Sequence, residues 1–181
     1  LQGVPSDSPR ILDSAAALDL ETLPETMLVV GGGYIGLELG SYFARLGTAV
    51  SIVEMMPAVL PGADPDLARI FTRSARSLFQ KIFTDTKVLS MEPYGDGVRT
   101  ALSRGESTFT EEYDTVLVTI GRVPNSSNLG LENTSVKCGG RGFIQVDAYR
   151  RTAESHIYAI GDVTGGVMLA HKATAEGRKA V

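Results

Sequence analysis

The 181-residue chain is 43% hydrophobic and 21% charged, a balance typical of a globular protein with one sizeable core. Its formal net charge is −4 and no basic face dominates, which argues against a nucleic-acid partner. No apolar run approaches the roughly eighteen residues that cross a bilayer, so no membrane span is predicted. The one cysteine, Cys138, excludes a disulfide within the chain and indicates a reducing compartment such as the cytoplasm.

The ends of the sequence are interpreted as the ends of a piece of a longer protein. The sequence begins with Leu1 rather than methionine, and it closes on a helix-like pattern without a capping glycine. Its first residues lack the basic start and the apolar centre of a signal peptide. Residues 1–26 contain three prolines and are interpreted as an incoming connector with one helical turn.

Strand and helix patterns alternate after the connector. Met27–Val30 is a short apolar run and predicts a buried strand. Apolar residues at helical spacing predict a helix over Tyr34–Leu46, and Gly47 follows at the place where a helix C-terminus favours glycine. Residues 48–54 predict a second strand, and a second helix is predicted from Pro65 to about Phe79.

Shorter strand patterns separated by turns follow the second helix. Three of them predict an antiparallel meander with hairpin turns at residues 95–97 and 104–106, and a last apolar strand is predicted at Val116–Ile120. The predicted order is therefore β-α-β-α-β, then the meander, then this final strand. Residues 122–155 are interpreted as extended loop with isolated strands such as FIQVD, and HIYAIGD (156–162) predicts a further strand.

The glycines between the first strand and the first helix carry the main functional prediction. Gly31, Gly33 and Gly36 have the G-x-G-x-x-G spacing of a dinucleotide-binding turn, in the strand-to-helix context that this motif needs. Gly31 permits the tight turn, Gly33 lets the backbone approach a pyrophosphate, and Gly36 lets helix and strand pack closely. The helix N-terminus supplies N–H groups and a partial positive charge for the phosphates.

The acidic residue at the end of the second strand predicts which dinucleotide binds. Glu54 follows Gly31 by 23 residues, close to the spacing of about 20 expected for the acid that binds an adenosine ribose. Its carboxylate would repel a 2′-phosphate, and residues 54–64 contain no Lys or Arg to attract one. The sequence therefore favours NAD over NADP, with a solvated strand-end glutamate as the alternative.

Several motifs in order resemble one enzyme family. The motifs are GGGYIGLELG, VEMM, LPGADPDL, TKV, VTIGRVPNSSNLGL, RGFIQVD and RTAESHIYAIGDV…MLAHKA. Together they resemble the middle part of the dihydrolipoamide dehydrogenases. These enzymes are the flavin-dependent disulfide reductases of 2-oxo acid dehydrogenase complexes. The similarity covers essentially the whole chain. It implies an α/β fold: a Rossmann-type parallel sheet in which a three-stranded antiparallel meander replaces one crossover helix.

The resemblance also implies contacts with NAD(H). By this resemblance, Glu38 lies near the nicotinamide and Tyr34 is an aromatic residue that gates the nicotinamide pocket. Glu54 corresponds to the acid that binds the ribose, and Val88 lines the adenine site. Gly121 corresponds to a second glycine turn, for which an ordinary turn at the end of a strand is the alternative. The implied NAD(H) contacts are Gly31, Gly32, Gly33, Tyr34, Ile35, Gly36, Leu37, Glu38, Glu54, Val88 and Gly121.

For a full-length relative, the resemblance further implies contacts with FAD. Asp162 corresponds to the carboxylate that holds the flavin ribityl chain, although a plain helix cap or turn residue is the alternative. The segment that faces the flavin pyrimidine corresponds to Met168, Leu169, Ala170 and His171. No metal site is predicted, and His156 is interpreted as a surface residue.

The family's redox disulfide and its C-terminal His–Glu pair correspond to nothing in these 181 residues. The resemblance therefore implies no catalytic residue here, an inactive and monomeric isolated fragment, and a homodimeric parent that serves a lipoyl-bearing subunit. Cys138 has no second thiol for exchange, so no catalytic role is predicted for it. The predicted organisation is the connector (1–26), an NAD(H)-binding core (27–121) and a returning segment towards the flavin part (122–181).

Two alternatives to this reading of the function remain. One is another NAD(P)H-dependent flavoprotein disulfide reductase, similar to the mercuric or glutathione reductases, because segments outside this sequence determine the terminal substrate. The other is a dinucleotide-sensing module without catalysis, which would carry a linked interaction segment.

Overall fold

A computed structural model describes residues 8–75 and 77–181 of the chain. Within it the chain forms two compact units, of which the first ends at Ile120 and the second runs from Gly121 to Val181. Residues 1–7 of the predicted connector lie outside the described residues. The functional division at residues 26 and 121 stays a prediction.

A five-stranded parallel sheet forms the centre of the first unit. Its strands are short and mostly apolar, as expected for a parallel sheet covered on both faces. In chain order they are β1 (Ile11–Leu12), β2 (Thr26–Val30), β3 (Ala49–Val53), β4 (Lys81–Phe83) and β8 (Thr115–Val118). The order across the sheet is β1-β8-β2-β3-β4, so β2 lies in the middle and its C-terminal end leads into the glycine turn.

Three helices belong to the first unit. They are α1 (Ser14–Leu18), α2 (Tyr34–Arg45) and α3 (Pro65–Ala75). The one helical turn predicted in the connector is confirmed as α1, and the predicted start of α2 at Tyr34 is also confirmed. Gly47 has φ +109° just after α2, the left-handed conformation that favours glycine at this position.

An antiparallel sheet of three strands is the second sheet of this unit. It consists of β5 (Thr86–Tyr94), β6 (Gly97–Arg104) and β7 (Ser107–Tyr113). The connections are the two predicted hairpin turns, in which Gly95 and Gly105 have φ +56° and +58°. The predicted meander is therefore confirmed, as is the α/β class with a Rossmann-type parallel sheet and this meander in place of a crossover helix.

Two hydrophobic clusters cover the two faces of the parallel sheet. The helices pack on one face, where Val29 and Ile52 of the strands meet Leu37 and Phe43 of α2. The antiparallel sheet packs on the other face, in a cluster of Leu28, Val30, Val53, Met91, Val98, Leu102, Tyr113 and Val116. Burial raises the pKa of the Tyr113 hydroxyl in this second cluster to about 12. The parallel sheet is thus packed between the helices and the antiparallel sheet.

Two predicted bounds in the first unit are wrong. The helix expected to reach about Phe79 is described only to Ala75, and residues 77–78 form a turn. The last strand ends at Val118 rather than Ile120, since its partner residue Val30 is the last residue of β2. Strand β1 pairs with β8 at the edge of the parallel sheet.

The second unit contains one helix, α4 (Ala170–Ala180), and two 3₁₀ turns at Leu131–Asn133 and Gly161–Thr164. The strand predicted in HIYAIGD is wrong, because only an isolated bridge from Tyr158 to Arg151 forms there. FIQVD likewise contributes a single bridge, from Ile144 to Cys138. Extended segments of this unit find no long partner strand, and apolar residues alone do not make a ladder.

Candidate functional site

The turn between β2 and α2 begins at a glycine whose backbone conformation is rare for residues with a side chain. Gly31 has φ +108°, and its N–H donates to the Val53 carbonyl oxygen at 2.9 Å. A Cβ atom at this position would lie 2.9 Å from the carbonyl oxygen of Thr119. Both the backbone conformation and the space therefore require glycine here.

Gly33 lies at the N-terminus of α2 and faces open space. It is the N-cap residue, with φ −76° and ψ 177°, and a Cβ atom built on it meets nothing within 4 Å. The first N–H groups of a helix have no partner inside the helix, and they carry the positive end of its dipole. An anion can therefore approach the backbone here, which fits the pyrophosphate role predicted for Gly33.

Gly36 has the opposite environment, since it is buried between α2 and the sheet. A Cβ atom there would overlap the carbonyl oxygen of Gly31 and lie 2.6 Å from Thr119 Oγ1 and 3.0 Å from a methyl group of Val29. The absence of a side chain thus brings the helix start against the end of β2. This is the packing role that the sequence predicts for this glycine.

Thr119 supports the turn, and no sequence pattern points to it. Its Oγ1 lies 3.0 Å from the carbonyl oxygen of Val30 and 3.2 Å from that of Gly31, while its N–H donates to the Val30 oxygen at 2.8 Å. These contacts join the end of β8 to the glycine turn. They depend on β8 lying beside β2, which is a tertiary arrangement.

Glu54 is built into the same turn. Only 7% of the residue is accessible to solvent. Oε2 accepts the Gly32 N–H at 2.8 Å and Oε1 accepts the Met56 N–H at 2.8 Å. The solvated-glutamate alternative is therefore wrong. Each oxygen keeps a second lone pair for a further donor, so the residue can both order the turn and accept a ribose hydroxyl.

The remaining residues predicted from α2 differ in what they expose. Tyr34 is 39% exposed, and Glu38 is exposed on the first turns of the helix. Ile35 is half-buried, whereas Leu37 is 2% exposed and packs in the helix-side core. Contact between Leu37 and a cofactor would therefore involve backbone atoms only. The binding role of this segment stays a prediction.

The structure does not bring every predicted NAD(H) contact to the glycine turn. Val88 lies on β5, where its half-buried side chain packs on the second cluster. The start of this strand is hydrogen-bonded to Glu54, because the Glu54 carbonyl oxygen accepts the Thr86 N–H at 3.0 Å. Gly121 is exposed at the start of the second unit, and a Cβ atom there meets nothing within 4 Å. Their roles stay predictions.

The second unit contains the residues predicted to contact FAD. Asp162 is paired with Arg122, whose Nη2 lies 2.7 Å from Oδ2, and both side chains are about two-fifths exposed. Leu169 is the N-cap of α4, and Ala170 and His171 are exposed on its first turn. Met168 precedes them with a half-buried side chain. An accessible carboxylate and an accessible helix start fit the predicted contacts, which stay predictions.

A buried ionic cluster beside Asp162 was not predicted from the sequence. Glu176 is 6% exposed and lies 2.8 Å from Arg150 Nη1 and 3.1 Å from Lys172 Nζ, while its Oε2 accepts the Gly161 N–H at 2.7 Å. Burial alone raises the pKa of Glu176, but the Gly161 N–H and the two cations outweigh it and hold the pKa below the usual 4.5. The Lys172–Glu176 spacing of four was the one available sequence signal.

We expect acid to weaken this cluster in a defined pH range. Because the pKa of Glu176 is lower in the folded chain than in the unfolded one, its contribution to stability is present above about pH 4.5 and is lost as the pH falls through the folded value. Urea unfolding at pH 7 and pH 3 checks this with the native chain and Glu176→Gln. The difference between their unfolding free energies should shrink at pH 3; a constant difference would contradict it.

No group of three His, Cys, Asp or Glu side chains in residues 8–75 and 77–181 is arranged to hold a metal ion. His156 is exposed, as predicted, and lies 3.6 Å from Glu154. Cys138 is an exposed free thiol. Nor does this described part of the chain contain a helix long and apolar enough to cross a membrane.

The family profile described as "Pyridine nucleotide-disulphide oxidoreductase" matches residues 1–177. The chain belongs to this family. Among curated relatives, it is 44% identical over 177 residues to the dihydrolipoyl dehydrogenase of Haemophilus influenzae and 42% identical over 173 residues to that of Geobacillus stearothermophilus. These alignments cover 98% and 96% of this chain and 37% of each relative.

Two solved structures are also similar to this chain. LpdA from Mycobacterium tuberculosis is 36% identical, with a TM-score of 0.85 over 99% of this chain and 39% of its own. The HOCl-induced flavoprotein disulfide reductase RclA from Escherichia coli is 30% identical, with a TM-score of 0.84 over 97% of this chain and 40% of its own. The predicted resemblance is thereby confirmed, and the chain spans well under half the length of these relatives.

Proposed function

We propose that this chain is the NAD(H)-binding part of a dihydrolipoamide dehydrogenase, which oxidises dihydrolipoamide with NAD in a 2-oxo acid dehydrogenase complex. The observation that carries the proposal is the turn at Gly31–Gly36, open at Gly33 and tied to the buried carboxylate of Glu54. A turn that served folding alone would not need open space at a helix N-terminus beside a buried acid. The dihydrolipoyl dehydrogenases among its relatives support the substrate.

Each part of the turn has a task in the proposed binding. The backbone at Gly33 and the start of α2 bind the pyrophosphate through N–H groups and the helix dipole. The Glu54 carboxylate accepts hydrogen bonds from the adenosine ribose and disfavours a 2′-phosphate in the same place. Together they orient the dinucleotide, so that its reactive end is held in a fixed position.

FAD, bound in the full-length parent, would carry electrons from the redox disulfide to NAD. Asp162 and the start of α4 would hold it, since an exposed carboxylate accepts ribityl hydroxyls and a helix N-terminus favours negative charge. The partly exposed Asp162 side chain and the exposed Leu169 fit these two tasks. We also propose, from the resemblance, a homodimeric parent in the cytoplasm.

The binding site can be mapped by NMR titration of the ¹⁵N-labelled chain with NADH. We expect the largest amide shift changes at Gly31–Gly33 and the first turn of α2, with a further change at Met56, whose N–H bonds to Glu54. The hairpin glycine Gly105 is exposed and serves as an internal control without a change. Shift changes confined to other segments would contradict the proposed site.

The isolated 181 residues are expected to be colourless, monomeric and unable to reduce lipoamide with NADH. The physical reason is that one cysteine cannot form a redox disulfide, and the proposed FAD contacts come from one short segment. Absorbance near the flavin bands, light scattering and an NADH-coupled assay check the three statements. A yellow preparation or measurable turnover would contradict them.

A second candidate is a flavoprotein disulfide reductase with a different terminal substrate. The similarity to RclA, 30% identical over 97% of this chain, favours keeping this candidate. Turnover assays of the full-length protein with dihydrolipoamide and with other disulfide or metal substrates separate the two candidates. A sensing module without catalysis has no observation in its favour.

A further inference from the structure

The two backbone groups of Gly161 are both bound by side chains from α4. Its N–H donates to Glu176 Oε2 at 2.7 Å, and its carbonyl oxygen accepts from Lys172 Nζ at 2.9 Å. Gly161 has φ +77°, and a Cβ atom there would lie 3.2 Å from that of Ala173 on the same helix. This glycine is therefore held against α4 by two charge-assisted hydrogen bonds in a conformation that favours glycine.

Lys172 extends the contact along the whole 3₁₀ turn that Gly161 begins. Its Nζ also lies 3.1 Å from Thr164 Oγ1 and 2.6 Å from the Gly165 carbonyl oxygen. One ammonium group thus binds the first residue of the turn, its last residue and the glycine that follows it. Lys172 and Glu176 are themselves 3.1 Å apart. Their ion pair therefore holds both side chains in the positions from which they bind the turn.

A third segment joins the pair through Arg150. Its Nη1 lies 2.8 Å from Glu176 Oε1, and its φ of +66° is uncommon for a residue with a side chain. The Asp147 carboxylate stabilises this bend by accepting the N–H groups of Tyr149 and Arg151 at 2.8 and 2.9 Å. Glu176 therefore links the 147–151 bend, the 3₁₀ turn and α4.

Packing alone does not account for such a cluster. The loss of hydration on burying an ion pair offsets much of the attraction between its charges. Apolar residues of similar size therefore often stabilise a protein at least as well. A buried carboxylate that binds three partners does, however, fix the orientation of the groups that it binds. The group next to Gly161 is Asp162, whose carboxylate points to Arg122 at 2.7 Å.

We propose that Glu176 and Lys172 are positioning residues for Asp162: by clamping the 161–165 turn, they set the direction in which the Asp162 carboxylate meets the flavin ribityl chain. The proposal rests on the proposed function, because it takes Asp162 as the flavin contact. Glu176 touches no cofactor in this account and acts through the turn. Asp162 remains accessible, whereas its two supports are largely buried.

The clamp itself is tested in this chain without any cofactor. Glu176→Gln offers one neutral oxygen to three donors, and Lys172→Met removes the ammonium but keeps the length of the side chain. We expect amide hydrogen exchange at Gly161 to accelerate at least about tenfold in Glu176→Gln, because a charged buried acceptor is lost. Lys179→Met, exposed on the same helix, is the control and should leave the rate unchanged. Unchanged exchange in Glu176→Gln would overturn the clamp.

The positioning role is tested by flavin affinity in the full-length protein that contains this chain. FAD quenching titrations of the apoprotein compare Glu176→Gln, Asp162→Asn and the double variant. If Glu176 acts through Asp162, each single change should weaken FAD about tenfold or more, and Glu176→Gln should add less than about twofold once Asp162 is changed. A purely structural Glu176 would give multiplicative losses, and that result would overturn the proposal.

The melting temperature of each apoprotein separates folding from positioning, and Glu176→Asp is a conservative variant that keeps the charge. We expect Glu176→Asp to restore part of the FAD affinity that Glu176→Gln loses. Equal affinities in these two variants would contradict a role for the charge. If the unsubstituted full-length protein bound no FAD, the proposed function would fail, and with it the flavin part of this inference. The Gly161 exchange rates would still show whether Glu176 and Lys172 hold the 161–165 turn.

Discussion

Gly36→Ala should destabilise the chain strongly and lower its melting temperature by about 6–12 °C, which corresponds to about 3 kcal/mol for a domain of this size. The new methyl group would overlap the carbonyl oxygen of Gly31 and lie 2.6 Å from Thr119 Oγ1. Both neighbours are held in place, Gly31 as backbone directly after β2 and Thr119 by its bonds to the carbonyl oxygens of Val30 and Gly31. Relief therefore requires α2 to move away from the sheet.

Gly33→Ala is the matched control, since it makes the same chemical change three residues earlier. A methyl group there meets nothing within 4 Å, and φ is −76°, so no strain arises and the melting temperature should stay within about 2 °C. The same methyl group occupies the space proposed for the pyrophosphate. NADH should therefore bind at least about tenfold more weakly, a loss of about 1.4 kcal/mol.

Thermal melts and NADH fluorescence titrations of both variants check the pair. We expect stability to be lost in Gly36→Ala and NADH affinity to be lost in Gly33→Ala. If Gly33→Ala melted early while it bound NADH normally, the glycines would serve folding only and the phosphate site would lie elsewhere.

Glu54→Ala should have the second large effect, and it should act on stability and binding together. The buried carboxylate accepts N–H groups from Gly32 and Met56. Removing it leaves both donors without their acceptor, at a cost of about 2–4 kcal/mol in unfolding free energy. Binding of NADH should weaken by a further 1–3 kcal/mol or so, the value of a charged hydrogen-bonding group to the ribose.

Glu106→Ala serves as the control for the loss of one negative charge, because Glu106 is exposed in a hairpin turn of the same unit. It should leave both quantities nearly unchanged. Urea unfolding gives the stability of each variant, and NADH titration at a temperature where circular dichroism shows a folded chain gives the affinity. Glu54→Ala with the stability of the native chain would contradict the turn-ordering role.

Local patterns were sufficient to predict the centre of the fold and of the site. An apolar run followed by glycines at fixed spacing sets the end of β2, the turn and the start of α2, because the glycine conformations and the helical period are encoded within a few residues. The hairpins at Gly95 and Gly105 were predicted for the same reason. Glu54 was found because its distance along the chain from the turn is itself part of the pattern.

Features that depend on which segments meet in space could not be predicted in this way. Thr119 supports the turn only because β8 lies beside β2, and Glu176 meets Arg150 through a bend 26 residues earlier in the chain. The expected strand at HIYAIGD failed because its apolar residues find one bridge and no ladder. Periodicity describes a segment, whereas these outcomes depend on its neighbours.

Calorimetric titration of the chain with NADH and with NADPH tests the central claim most directly, because the two ligands differ only in the 2′-phosphate that Glu54 faces in this account. We expect NADH to bind at least about tenfold more tightly, since a buried carboxylate beside a loop without Lys or Arg between residues 54 and 64 repels the extra charge. The preference should become smaller in Glu54→Gln, which removes the charge. Equal or tighter binding of NADPH to the native chain would contradict the assignment of Glu54 as the ribose acid and of this chain as an NAD(H)-binding one.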